Sequence, residues 1–370
     1  MSQPKNLKVI IAGGGTGGHV FPAIAIANAI KSKAYNAMIL FVGAKGRLEM
    51  QKVPAAGYHI VGLNIAGLQR RLTWKNLLVP FKLFDSLVRS KNIIKRFRPD
   101  VVIGVGGYAS GPVLRAAAKQ GVPTLIQEQN SYAGLTNKLL AKKVDKICVA
   151  YEGMEKFFPK DKIYLTGNPV RSDILNATGK KQQALAYFNL SNDKKVVLMV
   201  GGSLGAFSMN EAIKSSLKLL AFNDIQLIWQ TGKNYYQTAR EAVTGMEKFG
   251  IVVSAFIDRM DLAYAACDLV ISRAGAIAVS EICALQLPSV LVPSPNVAED
   301  HQTKNAMALV NLNAAVLVAD KDAQKELGPA LIDLIFDENK IFKLKENIAR
   351  MSYRDAANNI AGMALALVKN

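Results

Sequence analysis

A histidine directly follows a glycine-rich loop near the start of the chain, a combination suited to phosphate binding and proton transfer. The glycines lie between Gly13 and Gly18, and the next residue is His19. Glycines let a ligand approach the backbone closely, and an imidazole can exchange a proton near neutral pH. An apolar run at 7–12 precedes the loop and a helical pattern follows it. The helix start therefore offers N–H groups to an anion.

The glycine spacing also fits a dinucleotide-binding loop, but this pattern alone is weak. Such a site needs an acidic residue about 20 residues later, at the end of the next strand, to bind the ribose. Gly43 and Ala44 stand there instead. A dehydrogenase-type site is therefore disfavoured, and no cofactor is predicted.

Two further stretches place polar groups near the ends of predicted strands. The glycine-rich turn 104–112 contains Tyr108 and Ser110, which can hold a diphosphate together with the loop amides. Taken alone, a tight connection without a ligand explains this turn slightly better. Residues 128–130 follow another strand, where open α/β sheets place ligands. Helix capping by Asn130 or Ser131 is the alternative interpretation.

The second half of the chain contains a comparable loop and an internal repeat. Residues 272–275 predict a small-residue loop before a helix that carries Glu281. That carboxylate can accept hydrogen bonds from two ribose hydroxyls, or it can be a solvated residue placed favourably in the helix dipole. The segment 195–203 repeats the strand and glycine pattern of 8–15. Two Rossmann-like domains in tandem explain the repeat.

Alternating strand and helix patterns indicate parallel sheets along the whole chain. The domains are expected to join near 167–171, where Pro169 interrupts regular structure, and to bind ligands in the cleft between them. Strands are predicted at 7–12, 37–42, 58–61, 100–103, 123–126, 146–149, 195–200, 226–230, 251–254, 268–271, 289–292 and 314–318.

The chain is strongly basic, with 46 Lys and Arg against 28 Asp and Glu in 370 residues and a net charge of +18. Such an excess implies an anionic partner, which is a nucleic acid, an acidic lipid or a phosphorylated substrate. The three cysteines (Cys148, Cys267 and Cys283) lack metal-ligand spacing, so no metal site is predicted and a reducing compartment is indicated. Neither a signal peptide nor a membrane span is predicted.

Residues 63–98 interleave apolar and basic side chains. Pro80 is expected to separate an irregular part from a helix over 80–97, whose apolar residues cover the sheet. For 68–79 two interpretations stay open: an ordinary covering segment, or an exposed surface for an anionic membrane. The membrane contact is predicted over 68–84.

Seven motifs together resemble a known family. They are 13–19, 104–112, 128–137, 167–171, 201–206, 272–276 with Glu281, and 300–302. Each is weak alone, but their order and spacing resemble the MurG family of N-acetylglucosaminyltransferases over nearly the whole chain. That family converts lipid I into lipid II in peptidoglycan synthesis, and with it supports cell-wall biogenesis, cell shape and cell division.

The resemblance implies a GT-B fold, in which two Rossmann-like domains face a cleft. It implies an acceptor and membrane domain over 1–167, a UDP-sugar domain over 168–345, and a C-terminal helix within 346–370 that packs back on the first domain. It also implies an inverting hexosyltransferase. N-acetylglucosamine would pass from UDP-N-acetylglucosamine to the muramyl 4-hydroxyl of lipid I, the undecaprenyl-diphosphate muramyl pentapeptide. The protein would be peripheral at the cytoplasmic face of the cell membrane, with other cell-wall enzymes as further partners.

The same resemblance assigns site residues. His19 is the first choice for the general base, orientation of the substrate or loop is its alternative role, and Glu128 is the alternative base. The acceptor diphosphate would contact Gly14, Gly15, Gly106, Gly107, Tyr108 and Ser110. The donor would contact Thr16, Gly17, Gly18, Asn130, Arg171, Ser203, Ile257, Ala276, Ile277, Ala278, Val279, Ser280, Glu281 and Gln302. Within that set, Ile257 would stack by the uracil and Glu281 would bind the ribose.

Two positions depart from the family pattern, and other functions stay open. Leu204 stands where Gln is common, and Gln286 stands where Gly is usual, with only packing consequences expected. A GT-B enzyme with another acceptor and a UDP-sugar epimerase are alternatives. A nucleic-acid-binding protein is suggested by the charge alone and lacks a motif, so no nucleic-acid partner is predicted. A non-catalytic scaffold is disfavoured by the intact motifs.

Overall fold

The structure is a computed structural model that describes residues 6–65 and 79–368, apart from the side chains of Val79 and Ala298. Across these residues, strands and helices alternate along the chain. All strand pairs in them are parallel. The alternation predicted from the sequence is therefore confirmed.

The chain divides into two compact units. The first unit runs up to Arg171 and resumes at Tyr353, and the second unit is Ser172–Ser352. The predicted boundaries after 167 and 345 lie a few residues before these points.

The first unit contains a sheet of seven parallel strands. They are β1 (Lys8–Ala12), β2 (Met38–Ala44), β3 (His59–Leu63), β4 (Val101–Gly104), β5 (Thr124–Glu128), β6 (Lys146–Val149) and β7 (Ile163–Leu165). Their order across the sheet is β3-β2-β1-β4-β5-β6-β7, so the chain order reverses between β1 and β4. Open α/β sheets bind ligands beyond the carboxyl ends of the strands at such a reversal.

Helices pack on both faces of this sheet because successive strand residues point to opposite sides. They are α1 (Gly17–Lys33), α2 (Glu49–Ala55), α3 (Val79–Phe97), α4 (Ser110–Lys119), α5 (Leu135–Leu140) and, from the returning segment, α15 (Ala356–Leu365). Val9 and Ile11 lie in one apolar cluster with residues of α1 and α15. Ile10 and Ala12 lie in another with residues of α4.

The second unit contains six parallel strands in the order β10-β9-β8-β11-β12-β13. These are β8 (Val196–Val200), β9 (Gln226–Gln230), β10 (Ile251–Ser254), β11 (Leu269–Ser272), β12 (Ser289–Leu291) and β13 (Val316–Leu317). The chain order reverses between β8 and β11, the counterparts of β1 and β4. The two units therefore repeat one topology.

The helices of the second unit surround a core centred on the fully buried Trp229. The indole Nε1 donates to Asn210 Oδ1 at 2.9 Å, which satisfies the buried donor. The helices are α6 (Ser172–Leu175), α7 (Lys181–Phe188), α8 (Phe207–Phe222), α9 (Tyr236–Ala242), α10 (Met260–Ala266), α11 (Ala276–Leu285), α12 (His301–Val310), α13 (Ala323–Ile335) and α14 (Glu338–Ala349).

All twelve predicted strands are confirmed, with ends that differ by at most two residues. The missed strand is β7, which has three residues and lies at the sheet edge, too short for a periodic signal. The helix predicted over 80–97 is confirmed as α3. The expectation that its apolar residues cover the sheet is wrong for Phe81, Phe84 and Val88, whose side chains are exposed. Most of the predicted membrane region, 68–78, lies outside the described residues. Among the helices that are described, none is long and apolar enough to cross a membrane.

Candidate active site

The two glycine-rich loops of the first unit meet at the reversal of its sheet. Ala12 and Gly104, the last residues of β1 and β4, are paired partners. A side chain on Gly107 would overlap the carbonyl oxygen of Gly14, and one on Gly13 would overlap Val105. Both loops therefore need glycine because their backbones are in direct contact.

His19 lies in the first turn of α1 and faces the second loop. Its Nδ1 is 3.3 Å from the hydroxyl oxygen of Thr16, the N-cap residue of α1. A side chain on Gly106 would come within 2.8 Å of the His19 Nε2. The imidazole is thus held between its own helix start and the 104–107 loop, next to Thr16, Gly17 and Gly18.

A buried acid that sequence reasoning missed lies below the first loop. Glu49, at the start of α2, is 1% exposed. Its carboxyl oxygens accept the backbone N–H groups of Gly15 at 2.8 Å and Ala44 at 2.9 Å. Gly15 is predicted to contact the acceptor diphosphate, but in the structure Glu49 already engages its N–H.

Glu128 organises a loop rather than standing free. It is the last residue of β5, not a residue beyond it. One oxygen accepts both the backbone N–H and the side-chain amide of Asn130, and the other accepts Gly134 N and Asn137 Nδ2. Burial raises the pKa of Glu128, and these hydrogen bonds oppose the rise. The N-cap of α5 is Gly134, so the capping alternative for Asn130 and Ser131 is wrong.

A second amide network ties the end of β5 to the 167–171 motif. Gln127 Nε2 donates to Asn168 Oδ1 at 2.7 Å, and Asn168 Nδ2 donates to the Gln129 carbonyl at 2.9 Å. Gln129 Nε2 in turn donates to the Val105 carbonyl at 2.7 Å. All three amide side chains are buried. The sequence gives no periodic signal for such long-range contacts.

The remaining first-unit candidates differ in exposure. Tyr108 is exposed, whereas Ser110 is buried and its hydroxyl donates to the Gly107 carbonyl at 3.0 Å. Arg171 places its guanidinium 5.4 Å from the centre of the Phe21 ring on α1. Ser110 therefore shapes the turn, while the Tyr108 side chain is accessible from solvent.

In the second unit, the glycine loop after β8 corresponds to the first glycine loop, but a different side chain holds it in place. Ser203 and Leu204 are exposed at its tip. Gln230, the buried last residue of β9, donates from Nε2 to the Gly202 carbonyl at 3.1 Å. Its Oε1 accepts the backbone N–H of Ile257 at 3.0 Å. The sequence analysis did not predict Gln230 as a site residue. Its side chain connects the glycine loop after β8 to the segment around Ile257, which is predicted to contact uracil.

Ile257 is predicted to lie against the base, yet its side chain is 5% exposed. Its neighbour Phe256 is exposed. The structure thus places the Ile257 backbone firmly and leaves only a small part of its side chain accessible.

The loop after β11 leads into α11, the helix predicted to hold the nucleotide. Gly275 is its N-cap, and Ala276, Ile277 and Ala278 follow with N–H groups that have no partner within the helix. The Val279 N–H donates to the Gly275 carbonyl at 3.0 Å. Glu281 is 7% exposed and accepts the Tyr264 hydroxyl at 3.0 Å, so its interpretation as a solvated residue is wrong. The Ser280 hydroxyl donates back to the Ala276 carbonyl at 2.8 Å.

Two more side chains hold neighbouring loops in place. Arg273 is largely buried and binds Asp320, the Ser208 hydroxyl at 3.0 Å and the Val292 carbonyl at 3.0 Å. Gln302, in the first turn of α12, accepts the backbone N–H of Ser294 at 2.9 Å. Arg273 was not predicted as a site residue.

Gln286 corrects one expectation. It is the C-cap residue of α11 and has a φ of 54°, a left-handed conformation. That region favours glycine, because a Cβ crowds the backbone there. The replacement of the usual Gly therefore strains the backbone, and the expectation of packing effects alone is wrong.

The three cysteines are buried and unpaired in disulfides. Burial raises the pKa of the Cys148 and Cys283 thiols to about 12. Burial also raises the pKa of Cys267. Within 6–65 and 79–368, no group of three or more His, Cys, Asp or Glu side chains is arranged to hold a metal ion.

Comparison with known proteins defines the class. The model of the glycosyltransferase family 28 N-terminal domain matches residues 9–149, and that of the C-terminal domain matches 196–360. The chain belongs to glycosyltransferase family 28. With its two parallel-sheet Rossmann-like units it has the GT-B fold, as expected.

Relatives in other bacteria carry one specific name, UDP-N-acetylglucosamine--N-acetylmuramyl-(pentapeptide) pyrophosphoryl-undecaprenol N-acetylglucosamine transferase. The protein from Parabacteroides distasonis is 55% identical and is aligned over 98% of this chain and 99% of its own length. That from Bacteroides thetaiotaomicron is 56% identical over 99% of both chains. The resemblance found in the motifs is thereby confirmed.

Solved structures agree. The crystal structure of Acinetobacter baumannii MurG is similar with a TM-score of 0.77 and 27% identity, over 97% of this chain and 99% of that one. A UDP-GlcNAc 2-epimerase from Neisseria meningitidis has a TM-score of 0.70 at 15% identity, over 97% and 100%. The second likeness shows the fold alone.

Proposed function

We propose that this chain transfers N-acetylglucosamine from UDP-N-acetylglucosamine to the muramyl 4-hydroxyl of lipid I with inversion, forming lipid II. The observation that carries the proposal is the 55–56% identity, over nearly full length, to relatives named for that transfer. The loops at both sheet reversals support it, since they lie where open α/β sheets bind ligands.

The second unit binds the donor in this proposal. The first-turn N–H groups of α11 and the loop around Ser203 face the diphosphate, and their dipoles stabilise the charge that develops on the leaving UDP. Arg171 adds a positive charge. Glu281, held by the Tyr264 hydroxyl, accepts hydrogen bonds from the ribose. The remaining donor contacts are Thr16, Gly17, Gly18, Asn130, Ile257, Ala276 to Ser280 and Gln302.

The first unit supplies the base. An in-line attack needs a group that takes the proton of the acceptor 4-hydroxyl. His19 suits this role, because its ring stands at the meeting point of both glycine loops. Glu128 suits it less, because both of its oxygens accept hydrogen bonds from its own loop. Gly14, Gly106, Gly107 and Tyr108 surround the acceptor diphosphate.

Transfer of radiolabelled N-acetylglucosamine to a lipid I analogue tests the proposal. We expect label in the lipid product with lipid I and none with undecaprenyl phosphate alone. Release of free sugar, or conversion of the donor to its 2-epimer without transfer, would contradict it.

We also propose peripheral attachment to an anionic membrane at the cytoplasmic face, through the described part of the predicted membrane region. Phe81 and Phe84 on α3 are 75% and 70% exposed. On the same helix, Arg89 and Arg96 line a pocket of about 240 Å³ with Asn92. Exposed aromatic rings on a helix that also carries cations suit an interface between lipid tails and anionic headgroups.

Sedimentation with phosphatidylglycerol vesicles tests this attachment. Phe81→Ser with Phe84→Ser should lower the bound fraction at least tenfold. Phe222→Ser with Phe342→Ser is the matched control, since both rings are also exposed but lie in the second unit. Equal loss in both double variants, or equal binding to neutral phosphatidylcholine vesicles, would contradict attachment through α3.

A further inference from the structure

The transfer proposed above gives no role to Glu49, although this side chain is among the most buried acids of the first unit. Its Oε2 accepts Gly15 N at 2.8 Å and its Oε1 accepts Ala44 N at 2.9 Å. At 1% exposure, with both oxygens engaged, it cannot take a proton from a substrate. Any role in turnover must act through the groups that it holds.

Two glycines show that the first loop is built around this carboxyl group. A side chain on Gly14, at a φ of +145°, would overlap the Glu49 carboxyl group. One on Gly43, near the end of β2, would overlap the Glu49 Cγ. The end of β2 and the first loop therefore close over Glu49 from two sides.

The first glycine loop connects Glu49 to His19 through two consecutive residues, Gly15 and Thr16. Gly15, whose N–H binds Glu49, precedes Thr16. The Thr16 carbonyl accepts the His19 backbone N–H at 3.1 Å, and its hydroxyl oxygen is 3.3 Å from the His19 Nδ1. A shift of Gly15 would thus move the Thr16 carbonyl, which binds the His19 backbone, and the Thr16 hydroxyl, which lies beside the His19 ring.

We propose that Glu49 is a positioning residue for glycosyl transfer, which fixes the first glycine loop and through Thr16 sets the orientation of the His19 ring. The expected effect on kcat rests on the proposed function, because it requires that the protein transfers the sugar. The structural part of the inference, the effect of Glu49 on His19, can be measured without substrate.

Glu49→Gln keeps the size of the side chain and replaces one acceptor oxygen with a donor group that faces a backbone N–H. We expect kcat to fall at least tenfold while the KM for UDP-N-acetylglucosamine stays within threefold, because the donor contacts lie mainly in the second unit. The matched control is Asp100→Asn. Asp100 accepts the backbone N–H of Lys8 at 2.8 Å, at the opposite end of β1, and its variant should keep kcat within twofold.

NMR of the histidine imidazole signals tests the positioning role directly. If Glu49 only stabilised the fold, its substitution would not shift the His19 signal selectively. The chain has three histidines, and His19→Ala identifies the His19 signal. Glu49→Gln should shift that signal and leave those of His59 and His301 in place, with Glu49→Asp intermediate. An unmoved His19 signal, an unchanged kcat, or an equal loss in Asp100→Asn would overturn the proposal. If neither Glu49 variant folds, Glu49 is required for the stability of the fold and the positioning proposal is rejected. If the unaltered protein transfers no sugar, the proposed function fails instead.

Discussion

The two glycine loops, one in each unit, share a backbone pattern but rest on different side chains. The first loop, 13–16, lies over the carboxyl group of Glu49, which engages the Gly15 N–H. The second, 201–206, lies against the amide of Gln230, which donates to the Gly202 carbonyl. A carboxylate weakens a neighbouring site for an anion, whereas a neutral amide does not. The supporting side chain, rather than the glycines, therefore distinguishes the loop proposed to stabilise the leaving UDP from the loop that precedes His19, and in this proposal the acceptor diphosphate depends on Gly106, Gly107 and Tyr108 as well as on Gly14.

The largest expected effects come from removing one proposed functional group in each unit. His19→Ala should lower kcat by about 10²–10⁴-fold, the usual contribution of a general base, with little change in the Kd for UDP. Glu281→Ala should raise the Kd for UDP by about 10–100-fold and cripple turnover, because charged hydrogen bonds are worth roughly 1.5–3 kcal/mol. Steady-state kinetics and calorimetry measure both. Normal turnover in His19→Ala would remove it from the mechanism.

A smaller effect on UDP binding should follow from placing a carboxylate under the second loop, as Glu49 is placed under the first. Gln230→Glu places a carboxylate below 201–206 and removes the donor to Gly202. Two unit charges about 10 Å apart repel by roughly 1.7 kcal/mol at an effective dielectric constant of about 20. The Kd for UDP should therefore rise about tenfold.

Calorimetry in low salt and high salt checks the cause. Repulsion between charges should weaken as salt is added. Gln230→Met removes the same hydrogen bond without adding a charge and is the control. An equal loss of UDP affinity in both variants would mean that charge does not distinguish the loops.

The smallest effect concerns the stability of the second unit, apart from its ligand binding. Gln286→Gly should relieve the left-handed strain at the end of α11 and stabilise the unit by up to about 1 kcal/mol, partly offset by the greater freedom of the unfolded chain. Thermal unfolding measures the gain, and the Kd for UDP should not change. A lower unfolding temperature would show that Gln286 contributes more through its side chain than its backbone costs.

The strands could be predicted from the pattern of apolar residues and from the positions of glycines. Short apolar runs such as 196–200 lie between a turn and a glycine loop, as buried strands of parallel sheets do. The positions of His19 in the first turn of α1 and of Glu281 within α11 followed from the same patterns. Glu49, Gln230 and Tyr264 could not be predicted in this way. Each makes a hydrogen bond to a residue 17 to 34 positions away, and a single acid, amide or phenol leaves no periodic signal in the sequence.

The last helix, α15, supplies Ile360, Ala361 and Ala364 to the core beside β1, where all three are fully buried. On the ribosome these residues emerge after the whole of Ser172–Ser352. The second unit is a continuous piece of chain and can complete its core during translation, whereas the first must wait until α15 has emerged. Nascent-chain truncations ending before α15 should therefore protect the second unit from protease before the first.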